Sequence, residues 1–418
     1  MITYAQLKNR LSFMVEYICR ISTGFILGLF IWRDKKIILF GNCPVPMFKT
    51  NKKNEQFLHN TKYLFLYFNQ HLSEYKCIYL CDDKEKADKM KSAGLKYIYS
   101  RRSLKGFYYT LRAKYWVTDY AACSVANPIF AYRANVVNCY HGFGPKKIEH
   151  DDETQSPFKK FQKTRPFIYK IWNFCRFKDA FYIVNSPFNA DYVQSAFITK
   201  DDQQVILGYP RLDGIYNDIP HSELFMEEDY QTIKSLKEQG YKLLIYMPTW
   251  RDTGTDISGW LKNPKLQDIL KESKTVLICK LHPADKNFSN TSKNDTLYFI
   301  NKSSDVYPLL KYTDGLITDY SSVSLEYLLL DKPIIYYAFD LKEYLEQCRG
   351  FVHPFEEYVA GEMPLTENEL FEAVKHIING QDNFQERRKE LRDKFFTYQD
   401  GKNCERFVGW IRSLSKKG

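Results

Sequence analysis

Short apolar runs alternate with longer stretches of helical periodicity along most of this chain. In the first half, Lys36–Phe40 (KIILF), Cys77–Leu80, Lys96–Tyr99, Tyr115–Thr118 (YWVT), Val136–Tyr140 (VVNCY) and Phe181–Asn185 read as strands. Helical patterns fall between them at Glu55–Gln70, Lys84–Ala93 and Leu104–Arg112. The second half repeats the theme, with strands expected at Leu243–Met247 (LLIYM), Val276–Lys280 (VLICK), Leu297–Ile300, Gly315–Thr318 (GLIT) and Ile334–Tyr337. Helices are expected at Pro264–Lys274, Val306–Tyr312, Val323–Leu330, Glu367–Ile378 and Asn383–Phe396. A last one, about Lys402–Leu414, carries Phe407, Trp410 and Ile411 at helical spacing and is expected to pack back across a domain junction. Apolar runs separated by helices imply βαβ units and parallel sheets. The expected fold class is therefore α/β, with two doubly wound, Rossmann-like domains facing each other across a cleft at the carboxyl ends of their strands.

The boundaries expected from this pattern are an N-terminal apolar segment at 1–35, a first domain at 36–198, a second at 199–398 and a C-terminal helix at 399–418. At 418 residues the chain is too long for one ordinary hydrophobic core, which agrees with two domains. Leu11–Trp32 is apolar but contains Glu16 and Arg20, and its longest uncharged stretch, Ile21–Trp32, has 12 residues. A bilayer crossing needs about 20. The segment reads either as an interfacial anchor or as a buried helix leading into the first strand.

Composition adds three constraints. Hydrophobic residues at 44% and charged residues at 26% are globular values. The formal charge of +10 favours an anionic partner and leaves open phosphorylated substrate, acidic lipid or nucleic acid. Ten scattered cysteines without a CxxC pair argue against a zinc or thioredoxin-like site. They read as reduced core residues, which points to the cytoplasm.

Chemistry-bearing residues gather where predicted strands end. In DGLITDYSSVSLEYLLL (Asp314–Leu330) a strand runs into Asp319, Tyr320, Ser321 and Ser322, and a helix follows. Ser322 reads as its N-cap, and unpaired N–H groups with two hydroxyls form a candidate phosphate cradle. Glu326, one turn in, is positioned to accept from ribose hydroxyls; the bland alternative is a plain cap and a solvated glutamate. Tyr140-His141-Gly142-Phe143-Gly144-Pro145-Lys146-Lys147 follows another strand. Imidazole in general titrates near neutral pH, so His141 suits proton removal from a hydroxyl, unless it is a structural turn residue. Lys280-Leu281-His282-Pro283 offers His282 either to a diphosphate or to a leaving group. In Pro248-Thr249-Trp250-Arg251-Asp252, Arg251 presents a planar fork to phosphate or pairs with a neighbouring carboxylate such as Asp252. In Gly208-Tyr209-Pro210-Arg211-Leu212-Asp213, Arg211 either pairs with Asp213 or faces the cleft. Positioning plus charge stabilisation is what phosphoryl transfer requires. No DxD sequence and no metal-ligand spacing occur, so no obligatory metal or other cofactor is expected.

Taken in order, HG at His141, GYPRLD at Gly208, PTWRD at Pro248, LHP at Leu281 and ITDYSSVSLEYLLLDKPIIYYAFD at Ile317–Asp340 resemble the CDP-glycerol glycerophosphotransferase family of teichoic-acid primases and polymerases. The resemblance covers roughly Lys36 to Glu372. It implies the two-domain fold of nucleotide-sugar transferases (GT-B type), a CDP-polyol donor such as CDP-glycerol held mainly by the second domain, and a lipid-linked polymer acceptor. His141 then becomes the general base, with Gly142, Lys146 and Lys147 on the acceptor side. His282, Arg251, Ser321 and Ser322 become diphosphate contacts, and Asp319 and Glu326 donor-site groups.

Phe158–Lys178 holds seven Lys/Arg, no Asp or Glu, and interleaved aromatics. With Lys159, Lys160, Lys163 and Trp172 it reads as a membrane-facing helical insertion on anionic lipid, about 156–178. Peripheral attachment to the cytoplasmic face of the membrane follows. A solvated basic face and a nucleic-acid surface are the alternatives, the last disfavoured. Rival functions are a glycosyltransferase of the same fold and a non-catalytic lipid- or polymer-binding protein.

Overall fold

The structure is a computed structural model and describes residues 30–42, 56–120, 122–126, 128–131, 133–142, 144–152, 163–164, 166, 180–249, 251, 255–281, 295–301, 303–347 and 350–417. Its strands are β1 Asp34–Phe40, β2 Lys76–Leu80, β3 Ile98–Tyr99, β4 Ala113–Thr118, β5 Asn135–Asn138, β6 Ala180–Val184, β7 Gln204–Ile206, β8 Lys242–Met247, β9 Thr275–Cys279, β10 Leu297–Phe299, β11 Gly315–Thr318 and β12 Ile334–Tyr336. The helices that bear on the site and its packing are α1 His59–His71, α2 Lys84–Ser92, α3 Leu104–Arg112, α4 Pro187–Phe197, α5 Glu227–Glu238, α6 Pro264–Glu272, α7 Val323–Tyr327, α8 Glu367–Ile378, α9 Gln385–Phe395 and α10 Asn403–Lys417.

Two parallel sheets result. The first has the order β3-β2-β1-β4-β5-β6-β7 and the second β10-β9-β8-β11-β12. Sheets covered on both faces need near-continuous apolar strands, and LLIY in β8 and TVLIC in β9 are buried at every position. In each sheet the order reverses beside the first-laid strand, between β1 and β4 and between β8 and β11. Such a switch point opens a crevice at the carboxyl ends of the strands.

Local signals start the helices. Ser186 accepts from Asn189 N with Pro187 in the first turn of α4, and Thr366 with Glu369 forms a capping box on α8. The thiols of Cys77, Cys81, Cys139, Cys279 and Cys404 are free and buried.

Several expectations need correction. The first sheet runs past 198, because β7 joins its edge through Tyr182↔Gln204 and Val184↔Ile206. No strand was expected there, since the apolar run Val205–Leu207 is only three residues long, between Gln204 and Gly208. It also missed α4 and α5. The helix expected at Val323–Leu330 is only five residues of α-helix, and Leu328–Leu330 tighten to a 3₁₀ turn. α10 does cross back onto the first sheet: Lys35 Nζ donates to the Ser415 carbonyl (3.0 Å), and Phe407 meets Phe68 edge-on. Its start is held by Asp213, which accepts from Asn403 N and Cys404 N. Among the described residues no helix is long and apolar enough to cross a membrane. Of the apolar N-terminal stretch, Phe30, Ile31 and Trp32 are described; Phe30 and Trp32 are exposed and Ile31 is half-buried.

Candidate active site

The loops after β4, β5, β8 and β11 converge where the two sheets meet. After β5 the backbone turns sharply, with Tyr140 at φ 49° and Gly142 at φ 121°. The turn is held by Asn60 Nδ2, which donates to the carbonyls of Cys139 (3.2 Å) and Tyr140 (2.7 Å). His141 is thereby laid against Tyr120 and Tyr140, with ring centroids 4.8 and 4.2 Å away. Its Nδ1 lies 3.4 Å from the Asp119 carbonyl. A carbonyl only accepts, so this contact favours, in the neutral ring, the tautomer with the proton on Nδ1 and the lone pair on Nε2.

The two glycines of this loop serve close approach. A side chain at Gly142 would meet Arg211 Nη2 at 2.6 Å, and one at Gly144 would meet Ser322 Cβ at 2.8 Å. The His141 loop thus seats on the Ser321-Ser322 turn of the other sheet. Arg211 fastens the junction. Its Nη1 donates to the His141 carbonyl (2.6 Å), its Nη2 to Glu326, and its backbone N to Asn60 Oδ1 (3.1 Å). The other oxygen of Glu326 accepts from Tyr307. Burial alone would lower the Arg211 pKa, but Glu326 and Tyr307 override it and the net shift is upward. A second buried tie lies alongside, where Lys62 Nζ meets Asp305 (2.8 Å) and Tyr63 donates to the same carboxylate (3.0 Å).

On the second sheet, Asp319 accepts from Thr249 N (2.9 and 3.0 Å) across the switch point. Arg251, 3% exposed, donates from Nε and Nη2 to Asp340 (2.6 and 2.9 Å) and from Nη1 to the Thr249 carbonyl (2.7 Å). Its Nη2 is also 2.9 Å from Asp319. The guanidinium lies over Tyr320 and Tyr344, 4.8 and 5.1 Å from their centroids.

The sequence-derived residues therefore divide. His141, Gly142, Ser322 and Glu326 come together. Ser322 is not the expected hydroxyl cap: its backbone is helical (φ −62°, ψ −17°) and its side chain makes no cap bond, because capping needs an extended backbone. Glu326 spends both oxygens on Arg211 and Tyr307 instead of standing open to a ribose. Arg251 is paired with Asp340 and Asp319, and Asp252, the neighbouring carboxylate the sequence suggested, lies outside the described residues. Arg211 turns to Glu326 while Asp213 caps α10. Lys146, expected on the acceptor side, donates to Thr249 Oγ1 (3.1 Å), and Lys147 N donates to the Gly350 carbonyl (2.8 Å). Lys163 is exposed. His282, Lys159, Lys160 and Trp172 lie outside the described residues.

Sequence reasoning missed Asp119, Asn60, His59 and Asp340. Asp119 is fully buried and accepts from Asn60 N and Thr61 N (both 3.1 Å), Asn42 Nδ2 (3.2 Å) and Thr61 Oγ1. Burial drives its pKa up to about 7 against these donors. His59 lies 6.1 Å from the His141 ring, and burial, with Arg211 and His141, holds it down at about 3. One signal for Asp119 was available: Thr118-Asp119-Tyr120 repeats Thr318-Asp319-Tyr320.

Comparison with known proteins now adds to this geometry. A family model described as CDP-glycerol:poly(glycerophosphate) glycerophosphotransferase matches residues 46–413. A teichoic acid ribitol-phosphate primase of Bacillus spizizenii is 33% identical over 240 residues, 56% of this chain and 60% of that protein. A teichoic acid poly(glycerol phosphate) polymerase of the same organism is 28% identical over 368 residues, 85% of this chain and 86% of its own. The chain spans about half the length of the first curated relatives it matches (60%, 44% and 48%). Among solved structures, the wall teichoic acid polymerase TagF superposes with a TM-score of 0.71 at 20% identity, covering 92% of this chain and 90% of that one. At that identity the likeness is one of fold.

Proposed function

Because the chain belongs to the CDP-glycerol:poly(glycerophosphate) glycerophosphotransferase family, we propose that it moves a polyol phosphate from a CDP-polyol, CDP-glycerol first, onto a lipid-linked teichoic-acid-like or capsular polymer. The observation that carries this reading is the seating of the His141 loop on the Ser322 turn, with Gly144 against Ser322 and Arg211 joining the His141 carbonyl to Glu326. On this reading a base from one sheet and a hydroxyl turn from the other stand at one junction.

The reaction is an in-line displacement at the β-phosphorus. His141 Nε2 takes the proton of a terminal acceptor hydroxyl, whose oxygen forms the new P–O bond. The bond from that phosphorus to the oxygen bridging to CMP breaks, and CMP leaves with the electron pair. The Asp119 carbonyl, on His141 Nδ1, keeps the reactive lone pair on Nε2. His282 is assigned to the diphosphate or the departing CMP.

His141→Ala lowers turnover about 10²–10⁴-fold, the usual worth of a positioned base, while CDP binding stays within a few-fold. Release of CMP from CDP-glycerol and CDP-ribitol, with a lipid-linked acceptor, measures both points. Near-wild-type turnover removes His141 from the base role. Release of a nucleoside diphosphate from a nucleotide sugar instead identifies a glycosyltransferase.

Attachment to anionic lipid through the basic aromatic stretch 158–178 is part of the same proposal, supported by its seven Lys/Arg without an acid. It places the enzyme peripherally on the cytoplasmic face of the membrane. Neutralising Lys159, Lys160 and Lys163 abolishes flotation with anionic vesicles; unchanged flotation refutes the attachment.

A further inference from the structure

The side chains at the ends of β8 and β11 hold an imbalance of charge. Arg251 faces both Asp340 and Asp319, so one positive charge meets two negative ones within 2.9 Å, all nearly buried. Its Nη1 is turned to the Thr249 carbonyl. A diphosphate brought to this loop adds more negative charge to a trio that is already net anionic. The neutralising cation has to come from elsewhere.

Lys146 arrives from the other sheet. Pro145–Lys147 is fastened to the second lobe by main-chain bonds: Lys147 N donates to the Gly350 carbonyl and Val352 N to the Pro145 carbonyl, each at 2.8 Å. Lys146 itself bridges Phe351 in antiparallel fashion. Just before it, Gly144 lies against Ser322. These anchors aim the ammonium at Thr249, whose Oγ1 it meets at 3.1 Å and whose N–H is gripped by Asp319. The Tyr344 ring lies 5.5 Å from Lys146 Nζ and 5.1 Å from the Arg251 guanidinium carbon.

We propose that Lys146 is the residue whose charge receives the donor diphosphate, between the Thr249 loop and the Ser321-Ser322 turn, and that Arg251 is a positioning residue that shapes this loop. The inference rests on the CDP-donor reading above and deepens it. A compact ammonium on a flexible stem suits the task, being able to follow phosphate oxygens as a point charge. Because Lys146 belongs to the first lobe, the donor site is complete only while the His141 loop is docked. Donor binding and placement of the base are thereby tied together.

The test is equilibrium binding of CDP and of cytidine to the full chain, wild type against Lys146→Met and Lys146→Arg, with Lys146→Gln as a second neutral variant. Loss of a charge-assisted contact weakens CDP binding about 10–100-fold in the neutral variants. Lys146→Arg stays within a few-fold of wild type, and cytidine affinity is the same in all. Added salt weakens CDP binding more steeply in wild type than in Lys146→Met. An equal loss for cytidine and CDP overturns the assignment. So does intact CDP affinity with a raised acceptor KM, which returns Lys146 to the acceptor. A wild-type chain that neither binds CDP nor releases CMP sinks the underlying donor reading, and this inference with it.

Discussion

Thr118-Asp119-Tyr120 and Thr318-Asp319-Tyr320 end equivalent strands, β4 and β11, at the switch points of the two sheets, yet their surroundings are opposite in kind. Asp119 is collared by neutral donors from Asn42, Asn60 and Thr61, and burial lifts its pKa to about 7. Asp319 is collared by Thr249 N and the Arg251 guanidinium. The tyrosines diverge too. Tyr120 lies beside His141 and His59, while Tyr320 donates to Asp340 (3.0 Å) beneath Arg251. After the turns come Ala121-Ala122 in one and Ser321-Ser322 in the other. The same three residues thus build a corner of neutral hydrogen bonds beside two histidines in one lobe and an ion-paired, hydroxyl-edged corner in the other. A turn motif sets where a carboxylate sits; the groups packed around it set its charge.

The sharpest way to break the comparison is Arg251→Met. Removing the cation leaves Asp319 and Asp340 buried without it, and one-sided loss of a buried pair costs about 3–5 kcal/mol. A large fall in melting temperature is the expected result, and an unchanged one would mean the second corner is not organised by charge. In the first corner Asp119→Asn costs less, about 1–3 kcal/mol, because neutral hydrogen bonds are disturbed rather than an ion pair.

The pH dependence sharpens it further. Asp119 goes from 3.8 to about 7 on folding, so the folded chain keeps a proton that the unfolded one has released. Its contribution to stability is whole below 3.8 and is lost as pH rises to about 7. His59 goes from 6.5 to about 3 and acts in the opposite sense: its contribution is whole above 6.5 and is lost as pH falls toward 3. In the wild type the two largely offset, each being on the order of a few kcal/mol. Denaturant melts between pH 4 and 7 separate them. His59→Gln loses stability as pH rises, and Asp119→Asn loses it as pH falls. Parallel curves for both variants would show that neither group titrates as its burial requires.

Much of the fold was legible because parallel strands announce themselves. LLIYM, the VLIC of TVLIC and the LI of GLIT are apolar runs, and their ends carry the polar loops. β7 was not legible, since its three residues are all half-buried and the apolar run Val205–Leu207 is too short to mark a strand. α4 had a readable start in Ser186 and Pro187. The site was legible as a set of strand-end loops but not as a set of partners. Nothing local to Arg251 points to Asp340, and nothing near Glu326 points to Arg211.

Apolar periodicity and capping residues, which act over a few positions, are enough to determine the order of strands and helices and hence which loops sit at the carboxyl ends. The pairings were decided only when crossovers brought the end of β8 beside that of β11 and laid the His141 loop over Ser322. Burial then removed water as the competing partner, so that Arg251, Glu326 and Asp119 took their partners, and their charges, from neighbours distant in the chain.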